Sequence, residues 1–444
     1  MLNKQLYILS LAAICLLLGQ AAAAISENLT SVENGSITLE NNRLTTVENT
    51  PLMVVEKYEP NSYGNNESVI SEDYSLELFS FAPLNPEFEE YLENEDLNGD
   101  KILLISGEAS EEETENLATG FIPSPVDLSH LKTAENLTGG GSYPVSYDLR
   151  ALGSVSPVRD QMDAGSCWTF GTCAALESYI LGAEGKEMDF SENNIKNLLS
   201  EEYPEGFDRT YDGGGNAFMT TAYFVRWSGP VSETDDPYDS HSGVSPADLP
   251  SLKRIPEVLF LPARSGPEDN DLIKWALMNY GAVGSVICYS SDAYDAANCT
   301  YYYAGSNSEN HLIGIVGWDD SFDRNRFTPA APGDGAFIIK NSWGTGWGEE
   351  GFFYISYYDT AIGSANNIHT TEDLNSYSHV YQYDPLGWVE SIGSSGSSTA
   401  WAANVFTAEK TETLEAVSFY TPATGTEYEV YIYTEPVSGP VNPA

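Results

Sequence analysis

The sequence is short of positive charge. Only 19 of its 444 residues are Lys or Arg, against 66 Asp or Glu, and the formal net charge is −47 at pH 7. A surface of this sign repels phosphate backbones, which argues against nucleic acid as a partner. The acidity bears on solubility and not on fold, and it suits an extracellular or salt-adapted surface.

Long hydrophobic runs are also scarce. The one such run covers residues 6–18; it follows Lys4 and is followed by four alanines at 21–24. A positively flanked apolar stretch that ends in small residues is typical of an export signal, so we predict cleavage near Ala24 and a secreted or extracellular protein. The alternative is that the run stays as a membrane anchor, which would leave the protein attached to the cell surface.

An acidic leader follows, at residues 25–141. It holds 24 Asp or Glu and 4 Lys or Arg, and three glycines at 139–141 end it as a predicted hinge. A helix is predicted after Pro86, and residues 120–131 are predicted to be extended because their prolines forbid a helix.

Part of the leader imitates a calcium-binding loop. Asp96 begins the pattern, but Lys101 stands where the turn requires glycine and Gly107 stands where a closing Glu is needed. We therefore predict a solvated turn here, and nothing in the sequence implies a metal or an organic cofactor.

The middle and the end of the chain differ in their hydrophobic patterns. Residues 167–181 carry apolar side chains at helical spacing, so a helix is predicted to begin at Cys167. Short apolar runs predict strands at 282–287, 311–318, 336–340 and 351–357. From residue 374 onward alternating β-formers, ending in a predicted strand at 428–433, indicate an all-β appendage.

Cys167 has the setting of a nucleophile. A helix N-terminus lowers the pKa of a thiol, and the backbone N–H of Cys167 together with the side-chain amide of Gln161 could face a developing oxyanion. The alternative for a single cysteine is a buried structural residue, and that is the interpretation given to Cys173, six positions further along the same helix.

A base and an orienting amide are found downstream. Among the five histidines only His311 begins an apolar strand, which would hold its ring rigidly; His130, His241, His369 and His379 are in polar or turn-like contexts and are predicted to lie at the surface. Thiolate and imidazolium stabilise each other, so the resting site is predicted to be charged. Asn341 could accept from the second ring nitrogen, with Trp343 shielding that bond from water.

These motifs resemble those of the papain-like cysteine peptidases. The resemblance rests on Gln161, the run Gly165 to Trp168, Asn310-His311 and the run Asn341 to Gly348, in the family's order and at about its spacing. It implies that Gln161 stabilises the oxyanion, Cys167 attacks, His311 transfers the proton and Asn341 orients it. The implied fold is α+β, with a helical lobe and a β-barrel-like lobe, and proteins or peptides are the implied substrates.

The resemblance also implies a substrate cleft. Gly213 and Gly214 look like the family's glycine-rich wall, and Gly165, Asn310 and Trp343 are expected to line the cleft with them. The family usually has a disulfide between this wall and the active-site loop, which is residues 161–166 here, but the two positions are Ala164 and Tyr211.

A looser resemblance, at residues 381–388 and 401–406, is to exported prokaryotic relatives with a lectin-like domain. We therefore expect a signal peptide (1–24), an acidic prosegment (25–141), a papain-like catalytic domain (142–373) and a β-rich lectin-like domain (374–444) that is truncated. The last domain would bind carbohydrate or another cell-surface polymer. The prosegment is predicted to block the cleft until it is removed, helped by protonation of its carboxylates at low pH.

One disulfide is compatible with a free Cys167, and Cys288 with Cys299 is the predicted pair; two reduced cysteines are the alternative. Two other functions remain open at this point. One is a different Cys-His acyl-transfer enzyme, such as a transglutaminase-like or amidase-like protein. The other is a catalytically silent surface adhesin that uses the β domain for binding.

Overall fold

A computed structural model describes residues 5–8, 38–40, 43–45, 79–98, 117–133, 142–372, 374, 377–394, 402–420 and 426–434. Its α-helices are α1 (Pro86–Asn98), α2 (Cys167–Glu184), α3 (Glu192–Leu198), α4 (Ala217–Val225) and α5 (Asp271–Tyr280). The strands are β1 (Gln5–Ile8), β2 (Thr38–Glu40), β3 (Arg43–Thr45), β4 (Phe79–Phe81), β5 (Ser146–Asp148), β6 (Val258–Leu261), β7 (Val283–Ile287), β8 (Tyr294–Asp295), β9 (Thr300–Tyr301), β10 (His311–Asp319), β11 (Ala336–Lys340), β12 (Phe352–Ser356), β13 (Asn366–His369), β14 (Ile392–Ser394), β15 (Asn404–Thr407) and β16 (Ile432–Thr434).

The principal sheet has nine strands. Eight of them follow the order β6-β13-β7-β10-β11-β12-β9-β8, and β5 also pairs with β10. All pairings are antiparallel except β12 with β9. The side chains of β7, β11 and almost all of β10 are buried, as their continuous apolar runs predict for strands covered on both faces. This rigid centre fixes the ends of β10 and β11, where two of the candidate site residues lie.

The helices form a second layer with its own core. Helix α2 is buried from Cys167 to Ser178 and packs against β10, α3 and α4. It ends at Gly185, whose φ of 64° is the left-handed C-terminal conformation that glycine adopts at little cost. The two apolar cores, one around the sheet and one around α2, correspond to the two predicted lobes.

The remaining strands form small sheets. β4 pairs with β14, which joins the acidic leader to the C-terminal region, and β1 lies between β15 and β16. Among the described residues no helix is long and apolar enough to cross a membrane.

Most of the predicted elements are present. The predicted helices at Pro86 and at Cys167 and the four predicted strands of the middle segment are confirmed, with ends that differ by at most three residues. The predicted strand at 428–433 is confirmed only in part, because the strand is Ile432–Thr434. The glycines at 139–141 lie outside the described residues, as do Lys101 and Gly107 of the calcium-like pattern.

Candidate active site

Cys167 is the first residue of α2. Its side chain is fully buried, and the backbone N–H of Leu312, which follows His311 on β10, donates to its sulfur at 3.4 Å. Burial raises the pKa of this thiol to about 12. Hydrogen bonds from the backbone N–H groups of Leu312, Trp168 and Cys167 itself act in the opposite direction and lower the pKa, but by less. In this covered site the cysteine is therefore a thiol.

His311 and Asn341 are held together at the ends of neighbouring strands. His311 is the first residue of β10, Asn341 follows the last residue of β11, and Nε2 of the histidine lies 2.8 Å from Oδ1 of the asparagine. The indole of Trp343 stacks on the imidazole, with centroids 4.5 Å apart and an interplanar angle of 20°. The other ring nitrogen, Nδ1, is buried and has no hydrogen-bond partner among the described residues, so it is the nitrogen available to accept a proton.

The prediction of a charged resting site is wrong for this form of the protein. Burial lowers the pKa of His311 to about 4, although the bond to Asn341 acts in the opposite direction. With the pKa of the Cys167 thiol raised at the same time, the neutral pair is favoured. The physical reason is that neither group reaches water, which would solvate the two charges.

Three hydrogen bonds hold the side-chain amide of Gln161 in place. Its side chain is fully buried; Oε1 accepts from the hydroxyl of Ser342 at 2.5 Å, and Nε2 donates to the carbonyl of Ala164 at 3.0 Å. Nε2 also donates to the carbonyl of Thr119 at 3.3 Å, and Thr119 belongs to the leader. The amide expected to stabilise an oxyanion therefore already contacts a peptide carbonyl.

Residues 117–133, here called the covering segment, lie across the site. The N–H groups of Gly120 and Phe121 donate to the carbonyl of Asn310 at 3.1 and 3.0 Å, and the Trp343 indole N–H donates to the carbonyl of Ala118 at 2.8 Å. On the opposite side, Gly215 exchanges two backbone hydrogen bonds with the segment: it donates to Gly120 and accepts from Ile122. These contacts bind the segment through its main chain, as an added β-strand would be bound.

Gly120 lies directly against the active-site loop. Its φ of +147° is one that residues with a side chain rarely adopt, and a Cβ at this position would lie 2.2 Å from the backbone carbon of Gly165. Two residues later, Ile122 is 5% exposed and packs in the same core as Trp168. This part of the cleft therefore accommodates a glycine and, two residues later, a buried apolar side chain.

The structure brings together the residues predicted to line the cleft. Gly165 pairs with Gly213 in a parallel bridge, and Gly214, with a φ of +79°, turns the chain beside them. Asn310 pairs with the covering segment as expected, but on the side of the glycine wall the pairing residue is Gly215, which was not predicted. Ser342 was also missed as the partner of Gln161; its place inside the run 341–348 was the available signal.

The predicted disulfide between Cys288 and Cys299 is wrong, since both are free thiols, as are Cys167 and Cys173. Cys288 is buried beside Tyr303, whereas Cys299 has a φ of +50° and points its sulfur at the carbonyl of Ala296. The left-handed turn thus directs the two side chains to different neighbours. Cys173 is buried, as predicted.

The prediction for the four other histidines holds only in part. His241 is exposed, but His369 is fully buried on β13 against Phe224, because that strand continues the apolar sheet. His130 and His379 are half-buried.

Comparison with known proteins agrees with this geometry. The family described as papain family cysteine protease matches residues 143–372, and the family described as lectin like domain matches residues 380–444. Cysteine proteinase 1 of Entamoeba histolytica is 27% identical over 230 residues, which are 50% of this chain and 67% of that protein. Cathepsin K of Gallus gallus is 32% identical over 222 residues, 48% of this chain and 59% of that protein.

A solved structure shares both parts. The cysteine protease and lectin-like domains of Cwp84, a surface layer associated protein of Clostridium difficile, align with a TM-score of 0.55 and 25% identity, over 68% of this chain and 63% of that one. The first of the two family matches covers more than half of the sequence and includes Gln161, Cys167, His311 and Asn341. The chain belongs to the papain family of cysteine proteases.

Proposed function

We propose that this chain is the latent form of a secreted cysteine endopeptidase that hydrolyses peptide bonds with Cys167, His311, Asn341 and Gln161. The observation that carries the proposal is the buried pair of His311 and Asn341, which leaves Nδ1 free beside the strand residue that contacts the Cys167 sulfur. A base oriented in this way next to a cysteine at a helix N-terminus is the arrangement that acyl transfer requires.

The mechanism follows from the two ring nitrogens. Once the site is uncovered, the proton of the Cys167 thiol passes to Nδ1 of His311, and the thiolate attacks the substrate carbonyl. Gln161 Nε2 and the Cys167 backbone N–H stabilise the oxyanion that forms. The imidazolium then protonates the leaving amine, and water hydrolyses the thioester with the histidine acting again as base. Asn341 keeps Nε2 protonated throughout.

Latency is assigned to the leader. The covering segment occupies the Asn310 and Gly215 backbone groups and the Gln161 amide that an extended substrate would use, so substrate cannot enter while it stays in place. We therefore assign residues 1–24 to a signal peptide, 25–141 to a prosegment, 142–373 to the catalytic domain and 374–444 to the lectin-like domain. Removal of the prosegment would activate the enzyme.

The site of action is proposed to be outside the cell. The N-terminal run has the pattern of an export signal, and the Cwp84 structure is titled as that of a surface layer associated protein with the same two kinds of domain. Proteins or peptides of the extracellular space are accordingly the proposed substrates.

The C-terminal region is proposed to bind carbohydrate. A cleft of about 410 Å³ lies between the two domains, lined by Arg226 of the catalytic region and by Tyr381, Tyr383 and Phe406. The rings of Tyr383 and Phe406 are stacked 5.0 Å apart, and Tyr383 is 59% exposed. Phe406 is buried beneath it, so Tyr383 presents the exposed aromatic surface, and such a surface beside polar groups suits a sugar ring. Retention of the protein on purified cell-wall polysaccharide, lost in Tyr383→Ala and kept in Tyr428→Ala, would support this role.

The catalytic proposal is tested with the processed enzyme. Cys167→Ala should abolish hydrolysis of a peptide-library substrate, and an epoxide inhibitor should label Cys167 of the wild-type protein covalently. Cys173→Ala is the control, because that buried cysteine lies on the same helix and should be neither labelled nor required. Hydrolysis by Cys167→Ala at the wild-type rate would contradict the proposal, and the absence of both labelling and hydrolysis would favour the adhesin.

A further inference from the structure

Tyr238 joins the two ends of the active-site loop. Its hydroxyl donates to the backbone carbonyl of Gln161 at 2.8 Å and lies 2.7 Å from the hydroxyl of Ser166, the residue that precedes the nucleophile. The ring is held edge-on against Phe170 of α2, with centroids 4.9 Å apart. One side chain therefore contacts the residue that bears the oxyanion donor and the residue next to Cys167.

The carbonyl that Tyr238 binds belongs to a strained part of the loop. Met162, the next residue, has a φ of +53°, which is uncommon for a residue with a side chain, and it is 61% exposed. Its own packing therefore does little to keep the peptide between Gln161 and Met162 in one orientation. Hydrogen bonds hold this peptide instead. The Gln161 carbonyl accepts from the hydroxyl of Tyr238 at 2.8 Å and, more weakly, from Ala164 N–H at 3.4 Å, and the Met162 N–H donates to Oδ1 of Asp160 at 2.8 Å. The Gln161 N–H donates to the Ser342 carbonyl at 2.8 Å, so Tyr238 supplies the one side-chain donor to the Gln161 carbonyl among the described residues.

Tyr238 is also linked to the glycine wall. The ammonium of Lys196 on α3 lies 4.8 Å from the ring centroid of Tyr211 and 5.7 Å from that of Tyr238. Lys196 is fully buried, and its ammonium also donates to Oδ1 of Asn197 at 2.9 Å. Tyr211 lies two residues before Gly213 of the wall, so a buried cation bridges an aromatic ring beside the wall and one that holds the active-site loop.

The resemblance places a disulfide between these two segments, at positions where this chain has Ala164 and Tyr211. We propose that Tyr238 is a positioning residue for the oxyanion donor Gln161, and that Tyr238, Lys196 and Tyr211 form a noncovalent brace that replaces the disulfide. The proposal rests on the role assigned to Gln161 above. It explains how a chain without that covalent link keeps the loop and the wall in register.

The test uses the processed enzyme and three variants. Tyr238→Phe removes only the hydroxyl and keeps the ring contacts, Gln161→Ala removes the donor, and Tyr203→Phe is the matched control. Tyr203 also bridges main-chain groups with its hydroxyl, accepting from Ser245 N–H at 2.7 Å, but it does not contact the active-site loop. For each protein kcat, KM, the thermal midpoint, the binding of a peptide aldehyde and the rate of thiol alkylation by iodoacetamide would be measured.

If Tyr238 positions Gln161, Tyr238→Phe should lower kcat about tenfold with KM nearly unchanged, a smaller loss than removal of the donor itself. The variant should also bind the peptide aldehyde more weakly by a similar factor, because the adduct of the aldehyde with Cys167 carries an oxyanion. The rate of alkylation by iodoacetamide should be unchanged, because alkylation forms no oxyanion. Incorporation of 4-aminophenylalanine at position 238, which restores a donor, should recover activity. Tyr203→Phe should behave as wild type in kcat.

Other results would overturn the inference. If kcat falls in Gln161→Ala but stays within twofold of the wild-type value in Tyr238→Phe, Tyr238 has no positioning role. If Gln161→Ala keeps the full kcat, the oxyanion role assigned to Gln161 is wrong instead. A loss in Tyr203→Phe equal to that in Tyr238→Phe would show a general effect on the fold. Should Tyr238→Phe fail to fold, Lys196→Met tests the brace: a kcat three- to tenfold lower with unchanged KM is expected, and a wild-type kcat would contradict it.

Discussion

Nε2 of Gln161 donates a hydrogen bond to the backbone carbonyl of Thr119 at 3.3 Å. The donor proposed to stabilise the oxyanion of a substrate is thus engaged by the leader of the same chain. The neighbouring main-chain bonds from Gly120 and Phe121 to Asn310 place the leader over a site in which Cys167 and His311 are fully buried. Under the proposed function, the same covering contacts would account for latency as well as for the neutral state of the Cys167 and His311 pair.

Replacement of Asn341 tests how the histidine is oriented. Asn341→Ala removes the Oδ1 atom that lies 2.8 Å from Nε2 of His311. The stacked Trp343 ring and the edge contact with Tyr289 are then left to support the imidazole. We expect kcat of the processed enzyme to fall roughly ten- to a hundredfold while measurable activity remains, because the nucleophile and base are intact. Asn279→Ala, at an exposed position on α5, is the control and should keep full activity. Complete loss in Asn341→Ala, with the fold preserved, would mean that the residue does more than orient the ring.

Gly120 provides a test of latency. Gly120→Ala places a Cβ against the backbone of Gly165, at a φ that alanine tolerates poorly. The covering segment should therefore bind less tightly. The uncleaved precursor should then hydrolyse a small fluorogenic peptide at least tenfold faster than the wild-type precursor. Gly153→Ala is the matched control. Gly153 also has a left-handed φ, of +67°, but its Cβ would meet no atom within 4 Å. Equal activity of the Gly120→Ala and wild-type precursors would show that this part of the leader does not block the cleft.

The residues that could be predicted from the sequence have local signals, whereas the others depend on long-range packing. Cys167, His311 and Asn341 could be predicted because each stands at the boundary of a strongly apolar helix or strand, and such boundaries are visible in the sequence. The pairing of Gly215 with the covering segment, and the buried setting of His369, depend on which strands and segments meet across more than ninety residues. The failed pairing of Cys288 with Cys299 has a different cause, since sequence separation says nothing about the φ of +50° that turns Cys299 away.

The reactivity of Cys167 should differ between precursor and processed enzyme. In the precursor, burial raises the thiol pKa to about 12, so the rate of alkylation by iodoacetamide should be very low at pH 7 and rise about tenfold per pH unit up to pH 9. Uncovering lets the proton pass from sulfur to His311 within the pair, with no net uptake of protons. The processed enzyme should therefore react quickly, with little pH dependence near neutrality.

Mass spectrometry of the peptide that contains Cys167 would measure this rate separately from alkylation of Cys299, which is partly exposed. The Cys167→Ala protein gives the background at the other cysteines. A precursor that is alkylated at Cys167 as fast at pH 7 as the processed enzyme would contradict the neutral, covered state.

Trp388 links the C-terminal region to the covering segment. It is 9% exposed and lies in one apolar cluster with Val126 of that segment and Phe218 of α4, and the rings of Trp388 and Phe218 are in edge contact at 6.3 Å. Trp388→Ala would leave a cavity in this cluster, at a cost of about 3 to 5 kcal/mol if the site cannot collapse. Part of this loss of packing weakens the binding of the covering segment, so the precursor should be converted to the processed form several-fold faster.

The conversion would be followed by gel electrophoresis after addition of a trace of active enzyme. Trp275→Ala is the control, because that tryptophan is half-buried on α5 against Tyr280 and takes no part in the cluster. It should destabilise the fold without accelerating conversion. If both variants speed conversion equally, the effect is one of general stability; if Trp388→Ala converts at the wild-type rate, the C-terminal region does not help to hold the covering segment. Faster conversion in Trp388→Ala alone would mean that latency depends on the C-terminal region as well as on the cleft.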